Sequence, residues 1–393
     1  MTPTAVGAGL GRHSPWADSR KLAAHDRRAT GNRVRGPRRL PPNGANKERE
    51  RKKTMIDDAR RCFPELRVPV VDGDFKLVYE PEPERPNSWM VNDHCLIRDA
   101  HGVLHFFGIE NPFPTTAEAL EWLKEGLVPS PRPFIQTLHW LMHNHLYRSG
   151  THYRVGHAVA KSVWGPWQRC PAALDGGEER HGHGSPFVVR HENQYWMFEP
   201  SARRQSWQSV GTGIYTSSDL NNWKAVDDAT EWGDPQVFGP TGHRDPCILR
   251  GDDGAFLQYF AAADAEGRHT ISLATSADLR HWSPEAPCYV DASLPQYAPS
   301  CFGIFESPFV MRHGGLYYLF VGFSHRHYYE TFVVVSADPR RFLPEHKITT
   351  LFTHAPEFIE IDGVTYMSSC GIEDPQVLNR SGLWMSKIRW MAP

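Results

Sequence analysis

No run of 18 or more apolar residues occurs in the chain, so no helix of it is expected to cross a membrane. The amino terminus lacks the apolar segment of a secretory signal. Cysteine never occurs as C-x-x-C or at Cys/His zinc spacing; the seven stand apart, at 62, 95, 170, 247, 288, 301 and 370. A scattered, odd-numbered set reads as free thiols, many of them in the core. With the missing signal, that predicts a cytoplasmic protein. G-x-G-x-x-G, P-loop and G-x-S-x-G elements are also absent, which removes dinucleotide-binding and α/β-hydrolase readings.

What is present is aromatic and turn-rich. The 393 residues include 13 Trp, 13 Tyr, 20 Phe, 32 Gly and 32 Pro. Aromatic rings suit a β-rich core and a sugar-binding surface alike. Charge is unevenly spread. Residues 1–54 carry 14 Lys/Arg against 4 Asp/Glu, a net of +10, and the remainder carries 29 against 41, a net of −12. The first 54 residues show neither a period of 2 nor of 3.6, so they are expected to form a disordered basic extension. The acidic body, 55–393, argues against nucleic acid as partner and suits a neutral ligand.

One pattern recurs five times along that body. NDHCLIRDAHGVLHFFGI begins at 92, GSPFVVRHENQYWMFEP at 184, RDPCILRGDDGAFLQYFAA at 244, ESPFVMRHGGLYYLFVGF at 306 and APEFIEIDGVTYMSSCG at 355. Each is a short apolar strand, a charged or Gly turn and an aromatic-rich strand, the grammar of a β-hairpin. A second half follows, as in GTGIYTSSDLNNW at 211 and HTISLATSADLRHW at 269. Two hairpins make a four-stranded unit, and five such units predict an all-β, five-bladed β-propeller. A β-sandwich is the competing reading; five returns of one four-strand pattern weigh against it. Residues 111–150, which contain LHWLMHNHLY, interrupt the first repeat and are expected to cover one face.

The inner strand of a propeller blade lines the central channel. Its opening positions here hold Asp93, Gly184–Ser185, Asp245, Glu306 and His354–Ala355. Three acids around one channel are costly unless hydrated, paired or used. They also raise one another's pKa, which keeps a general acid protonated near neutral pH. Glycoside cleavage needs such a set: one acid for the leaving oxygen, one carboxylate to attack or to activate water. Trp89 adds a stacking face for a sugar ring. The 21 histidines cluster, for example at 139, 143, 145, 152 and 157, at 181 and 183 and at 325 and 327, but without the fixed spacing of a zinc site. Glu373-Asp374-Pro375 repeats the acid-Pro pattern and is read as a turn.

At these residues the sequence resembles glycoside hydrolase family 32, the β-fructofuranosidases. Trp89-Met90-Val91-Asn92-Asp93 looks like that family's W-M-N-D-P-N-G signature, Arg244-Asp245-Pro246 its R-D-P and Glu306-Ser307-Pro308 its E-C-P. Gly156-His157-Ala158, ahead of Ser162 and Trp167, looks like W-G-H-A…S…W. Family 43, of arabinofuranosidases and xylosidases, shares the fold and the Asp, Asp, Glu order, and commonly the G-P-W ending seen at Gly165-Pro166-Trp167. The chain departs from family 32 by the inserted Val91, by His94 in place of Pro and by lacking the following N-G; no C-terminal β-sandwich follows the fifth repeat.

The resemblance implies a hydrolase of furanosidic bonds acting on a small carbohydrate. Asp93 would be the nucleophile under family 32 logic, or the base that activates water under family 43 logic. Asp245 would bind sugar hydroxyls and steady the transition state, and Glu306 would be the general acid. Trp89, Asn92, Arg244, His157, His183 and Ser185 are the expected sugar contacts. Retention is favoured over inversion; a transglycosylase and a non-catalytic sugar-binding propeller are the other readings. The chemistry requires no cofactor. Family 43 often holds a structural calcium beside a channel histidine, which implies one near His354, set against plain hydrogen bonding by that side chain.

Overall fold

The computed structural model describes residues 56–113, 154–175, 180–203, 209–226, 243–264, 266, 268–294, 305–323, 329–372 and 380–393, with the side chains of 180–183, 201–203 and 209–211 left aside. The basic extension, most of the 111–150 insertion, the histidines at 139–152, 325 and 327, and Glu373-Asp374-Pro375 lie outside the described residues.

The strands form five antiparallel sheets, one per repeat, arranged as a five-bladed propeller. The first strand, β1 (Val68–Tyr79), belongs to the last blade. Blade 1 follows with β2 (Trp89–Arg98), β3 (Leu104–Pro112), β4 (Arg154–Ala160) and β5 (Gln168–Arg169). Blade 2 holds β6 (Arg180–His183), β7 (Phe187–His191), β8 (Gln194–Arg203), β9 (Ser209–Ser217) and β10 (Lys224–Ala225). Blade 3 holds β11 (Arg244–Arg250), β12 (Phe256–Ala263), β13 (His269–Ser276), β14 (Ser283–Pro284) and β15 (Tyr289–Val290). Blade 4 holds β16 (Phe305–His313), β17 (Leu316–Phe323), β18 (Glu330–Ser336) and β19 (Lys347–Phe352). Blade 5 holds β20 (Phe358–Ile361), β21 (Val364–Ile372) and β22 (Arg380–Met391), and β1 pairs with β22 as its outer strand, Val68 opposite Met391.

That pairing closes the ring with the two ends of the described body, a feature the repeat pattern did not announce. The seam beside it, between blades 5 and 1, has its own apolar cluster, including Tyr79, Val91, Phe106, Ala355, Cys370 and Leu383. It is also cross-linked by polar contacts. His94 meets Ser368 Oγ at 2.7 Å through Nε2 and the Cys370 thiol through Nδ1, and the Val91 amide donates to Ser381 Oγ at 3.1 Å. His94 stands where the other four inner strands carry Pro186, Pro246, Pro308 and Pro356. The departure from the proline pattern thus supplies a side chain that ties blade 1 to blade 5.

The S-x-D-L turns of the second halves are built alike. In blade 2 Ser217 Oγ accepts the amides of Asp219 and Leu220 at 3.2 and 2.9 Å; in blade 3 Ser276 Oγ accepts those of Asp278 and Leu279 at the same two distances. Both leucines adopt positive φ, 63° and 65°, and both are buried. Side-chain acceptors two and three residues back supply what the turned backbone needs, which is why Ser and Asp recur there.

Each inner strand carries the same defect where it enters the channel. Pairing skips one extra residue between Asn92 and His94, between Arg244 and Cys247 and between Glu306 and Phe309, and likewise between His183 and Phe187. In blade 5 the Cys370 and Ser368 amides bond the carbonyls of His354 and Glu357, again one residue too many on the inner side. These are β-bulges, and three of the bulged residues sit at positive φ: Asp245 at 57°, Ser307 at 48° and Ala355 at 47°. A bulge turns two successive side chains toward the same side instead of alternating them. Proline after the bulged residue is tolerated because that position does not donate to the ladder.

Candidate active site

The bulges align the five inner strands and produce two tiers of channel residues. The first tier is Asn92, Gly184, Arg244, Glu306 and His354. The second, one residue on, is Asp93, Ser185, Asp245, Ser307 and Ala355. This revises the sequence reading on one point. Glu306 is equivalent to Arg244, not to Asp93 and Asp245; its blade fills the second tier with Ser307.

The second tier is one hydrogen-bonded arc. Ser185 Oγ donates to Asp245 Oδ1 at 2.5 Å, the Ser307 amide donates to Asp245 Oδ2 at 3.0 Å, and Ser307 Oγ donates to Asp93 Oδ1 at 2.6 Å. Asn92 Nδ2 completes it by donating to Asp93 Oδ2 at 3.0 Å. Burial pushes the Asp93 carboxyl well above the ordinary carboxylate range and the charge of Asp245 adds to it, while Ser307 and Arg244 pull the other way.

The first tier surrounds the third acid. Arg244 Nη1 stands 3.4 Å from Asp245 and 3.6 Å from Glu306 Oε2, and its Nη2 is fixed by the Phe305 carbonyl at 2.8 Å. Glu306 Oε1 is buried without a hydrogen-bond partner among the described residues, 3.9 Å from His354 Nδ1. Burial pushes the Glu306 carboxyl up to about 8; Arg244 opposes this, and the charges of Asp93 and Asp245 reinforce it. Opposite Glu306 on β17 is Gly322, where a Cβ would lie 2.9 Å from the Glu306 carbonyl oxygen and 3.0 Å from its Cγ. The acid fits because that position has no side chain.

His354 Nε2 meets Asn92 Oδ1 at 2.9 Å. Since Asn92 spends Nδ2 on Asp93, its oxygen faces the imidazole and Nε2 is the donor. Nδ1 is the ring nitrogen turned toward Glu306, 3.9 Å from Oε1. Among the described residues no group of three or more His, Cys, Asp and Glu is arranged for a metal.

Two of the expected sugar contacts are engaged by neighbouring side chains. His157, on the third strand of blade 1, is 2% exposed, stacks on Phe107 at 4.5 Å and meets His105 Nδ1 at 2.9 Å. The third strand does not line the channel, and burial holds this imidazole neutral with a pKa of about 3. Trp89 opens β2, but the guanidinium groups of Arg154 and Arg169 lie over its ring, 4.5 and 4.4 Å from the centroid. Its face is already engaged by cations. The side chain of His183 lies outside the described residues.

Two participants escaped the sequence reading. Ser307 was visible only as part of a motif. Glu357, two residues beyond the bulge of blade 5, is a buried acid whose carboxyl is pushed far above its ordinary range by burial and by the charge of Asp93. The acid-Pro pattern hid it, because here the acid follows the proline.

No protein-family model and no curated sequence matches the chain. Solved structures do. A fructan 1-exohydrolase from Cichorium intybus is similar at 15% identity with a TM-score of 0.54, over 81% of this chain and 57% of that one, so the chain spans little more than half its length. A GH32 β-fructofuranosidase of Bombyx mori matches at 14% identity and 0.52, over 88% and 67%. A GH43 β-xylosidase/α-arabinofuranosidase from a compost metagenome matches at 12% and 0.51, over 82% and 95%. At these identities the likeness establishes the fold: the five-bladed propeller of the GH32 and GH43 glycosidases.

Proposed function

We propose that the chain is a glycoside hydrolase acting on a furanoside, with Glu306 as general acid and Asp93 as nucleophile. The observation that carries this is the setting of Glu306, buried with Oε1 unpartnered among the described residues and Oε2 3.6 Å from Arg244. A carboxyl raised to about 8 is mostly protonated at neutral pH and can give a proton to a leaving oxygen. Asp93, pushed up to about 7 and supported by Asn92 and Ser307, gives up its proton before Glu306 does and is the group left to attack the anomeric carbon. Asp245, braced by Ser185, the Ser307 amide and Arg244, stands beside the oxocarbenium-like transition state and accepts sugar hydroxyls. Arg244 restrains the pKa of Glu306 by its charge.

The reaction then runs by retention. Glu306 protonates the leaving oxygen as Asp93 bonds the anomeric carbon; water, deprotonated by Glu306, then releases the sugar and restores both groups. The test is hydrolysis of sucrose and a panel of nitrophenyl furanosides and xylosides by wild type and Glu306→Gln, with proton NMR of the first anomer formed. Turnover of none of these by wild type overturns the hydrolase reading, and first release of the inverted anomer overturns the role of Asp93 as nucleophile.

A further inference from the structure

Ser307 touches both aspartates with two different donors, its hydroxyl and its amide. It comes from blade 4, whereas Asp93 comes from blade 1 and Asp245 from blade 3. Its hydroxyl reaches Asp93 at 2.6 Å while its amide reaches Asp245 at 3.0 Å, with the backbone turned to a φ of 48°. Residues before proline ordinarily stay extended, so a left-handed serine ahead of Pro308 is a conformation the surroundings must impose. The bulge between Glu306 and Phe309 imposes it, and Arg244 ties the preceding residue down through the Phe305 carbonyl.

We propose that Ser307 is a positioning residue of the carboxylate pair: its hydroxyl and its amide hold Asp93 and Asp245 side by side. The physical need is plain. Asp93 faces Asp245 across the arc, Glu306 in the tier beside it and Glu357 from blade 5, and among the described residues the cation that acts on it is Arg244. Two like charges so placed would take up a proton unless each is given donors. Asp245 receives Ser185, the Ser307 amide and Arg244; Asp93 receives Asn92 and the Ser307 hydroxyl, with a smaller contribution from Ser185. The hydroxyl is also a donor that never changes charge, so it favours the ionised carboxyl at every working pH.

This inference rests on the proposed reaction for its catalytic meaning, but its test does not. The protein is labelled with ¹³C at the Asp carboxyls, and Asp93 is assigned by the signal lost in Asp93→Asn. Ser307→Gly removes the hydroxyl while keeping the amide and a residue at ease at positive φ. The Asp93 midpoint is expected to rise by about one pH unit, since a hydrogen bond to a charged carboxyl is worth roughly that much. Ser307→Ala should raise it equally but melt at a lower temperature, because alanine resists that φ. With a hydrolysed substrate, kcat of Ser307→Gly should be about tenfold below wild type on the acid side of the new midpoint and match wild type above it, where both decline as Glu306 loses its proton, at nearly constant KM. An unmoved Asp93 midpoint in folded Ser307→Gly overturns the proposal, as does a loss of kcat that is the same at all pH. If no glycoside is cleaved, the carboxyl titration still decides it.

Discussion

Arg244 and Glu306 occupy the same bulge position in adjacent blades, and the guanidinium stands 3.6 Å from the carboxyl. One residue is the cation and the other the acid because the repeat fixes the place and leaves the side chain free. The pairing sets how readily Glu306 gives up its proton, and the predictions follow from that balance.

Glu306→Gln should keep the fold and lose about 10²- to 10⁴-fold in kcat on substrates with poor leaving groups, the usual cost of removing a general acid. Wild-type activity should fall as pH rises through about 8, where Glu306 loses its proton. It should fall again on the acid side as Asp93 becomes protonated. A kcat/KM profile reads both limbs, and the Gln variant should lack the upper one.

Arg244→Ala should move that upper limb to higher pH. The arginine charge holds the Glu306 pKa down, so its removal makes the acid harder to ionise. The same variant should lose peak activity, because Asp245 and the Phe305 carbonyl lose their shared partner. A limb that stays near its wild-type position would show that the guanidinium does not sense Glu306.

Gly322→Ala should lower kcat more than it raises KM. The added methyl would sit against the carbonyl oxygen and Cγ of Glu306, at 2.9 and 3.0 Å, and the acid must shift by a few tenths of an ångström or more. Displacements of that order matter to proton transfer, which requires hydrogen-bond reach of about 2.6–3.2 Å. Steady-state kinetics checks it, with the melting temperature as control for the fold.

Glu357→Gln should be more heat-stable than wild type at pH 8 and equal to it near pH 4. The folded-state pKa of Glu357 lies above its unfolded value, so the stability linked to its neutral form is complete below the ordinary carboxyl range and is lost as pH rises. Glutamine keeps the shape without the charge. Melting curves across that window test it.

His157→Ala should lower the melting temperature and leave KM unchanged. The imidazole is packed on Phe107, and deleting a buried ring costs about 3–5 kcal/mol when the site cannot collapse. A raised KM with unaltered melting would return His157 to the sugar site.

The sequence by itself determined the blades. Strand alternation, Gly turns and the S-x-D-L tips are local, and a hairpin needs nothing from the rest of the chain to be recognised. The acids Asp93, Asp245 and Glu306 were legible for the same reason, since each stands at the mouth of an apolar strand. Only the tertiary structure decided the closure of the ring, because β1 finds its partner on β22, over 300 residues further along the chain. It also decided the two tiers: a bulge is a mismatch between two strands, and one strand read alone cannot show that Glu306 stands level with Arg244 while Ser307 stands level with Asp93. Trp89 and His157 misled for the complementary reason. Their types suit a sugar, but Arg154, Arg169 and Phe107 reach them first, and which side chain gets there is settled by packing between strands and blades.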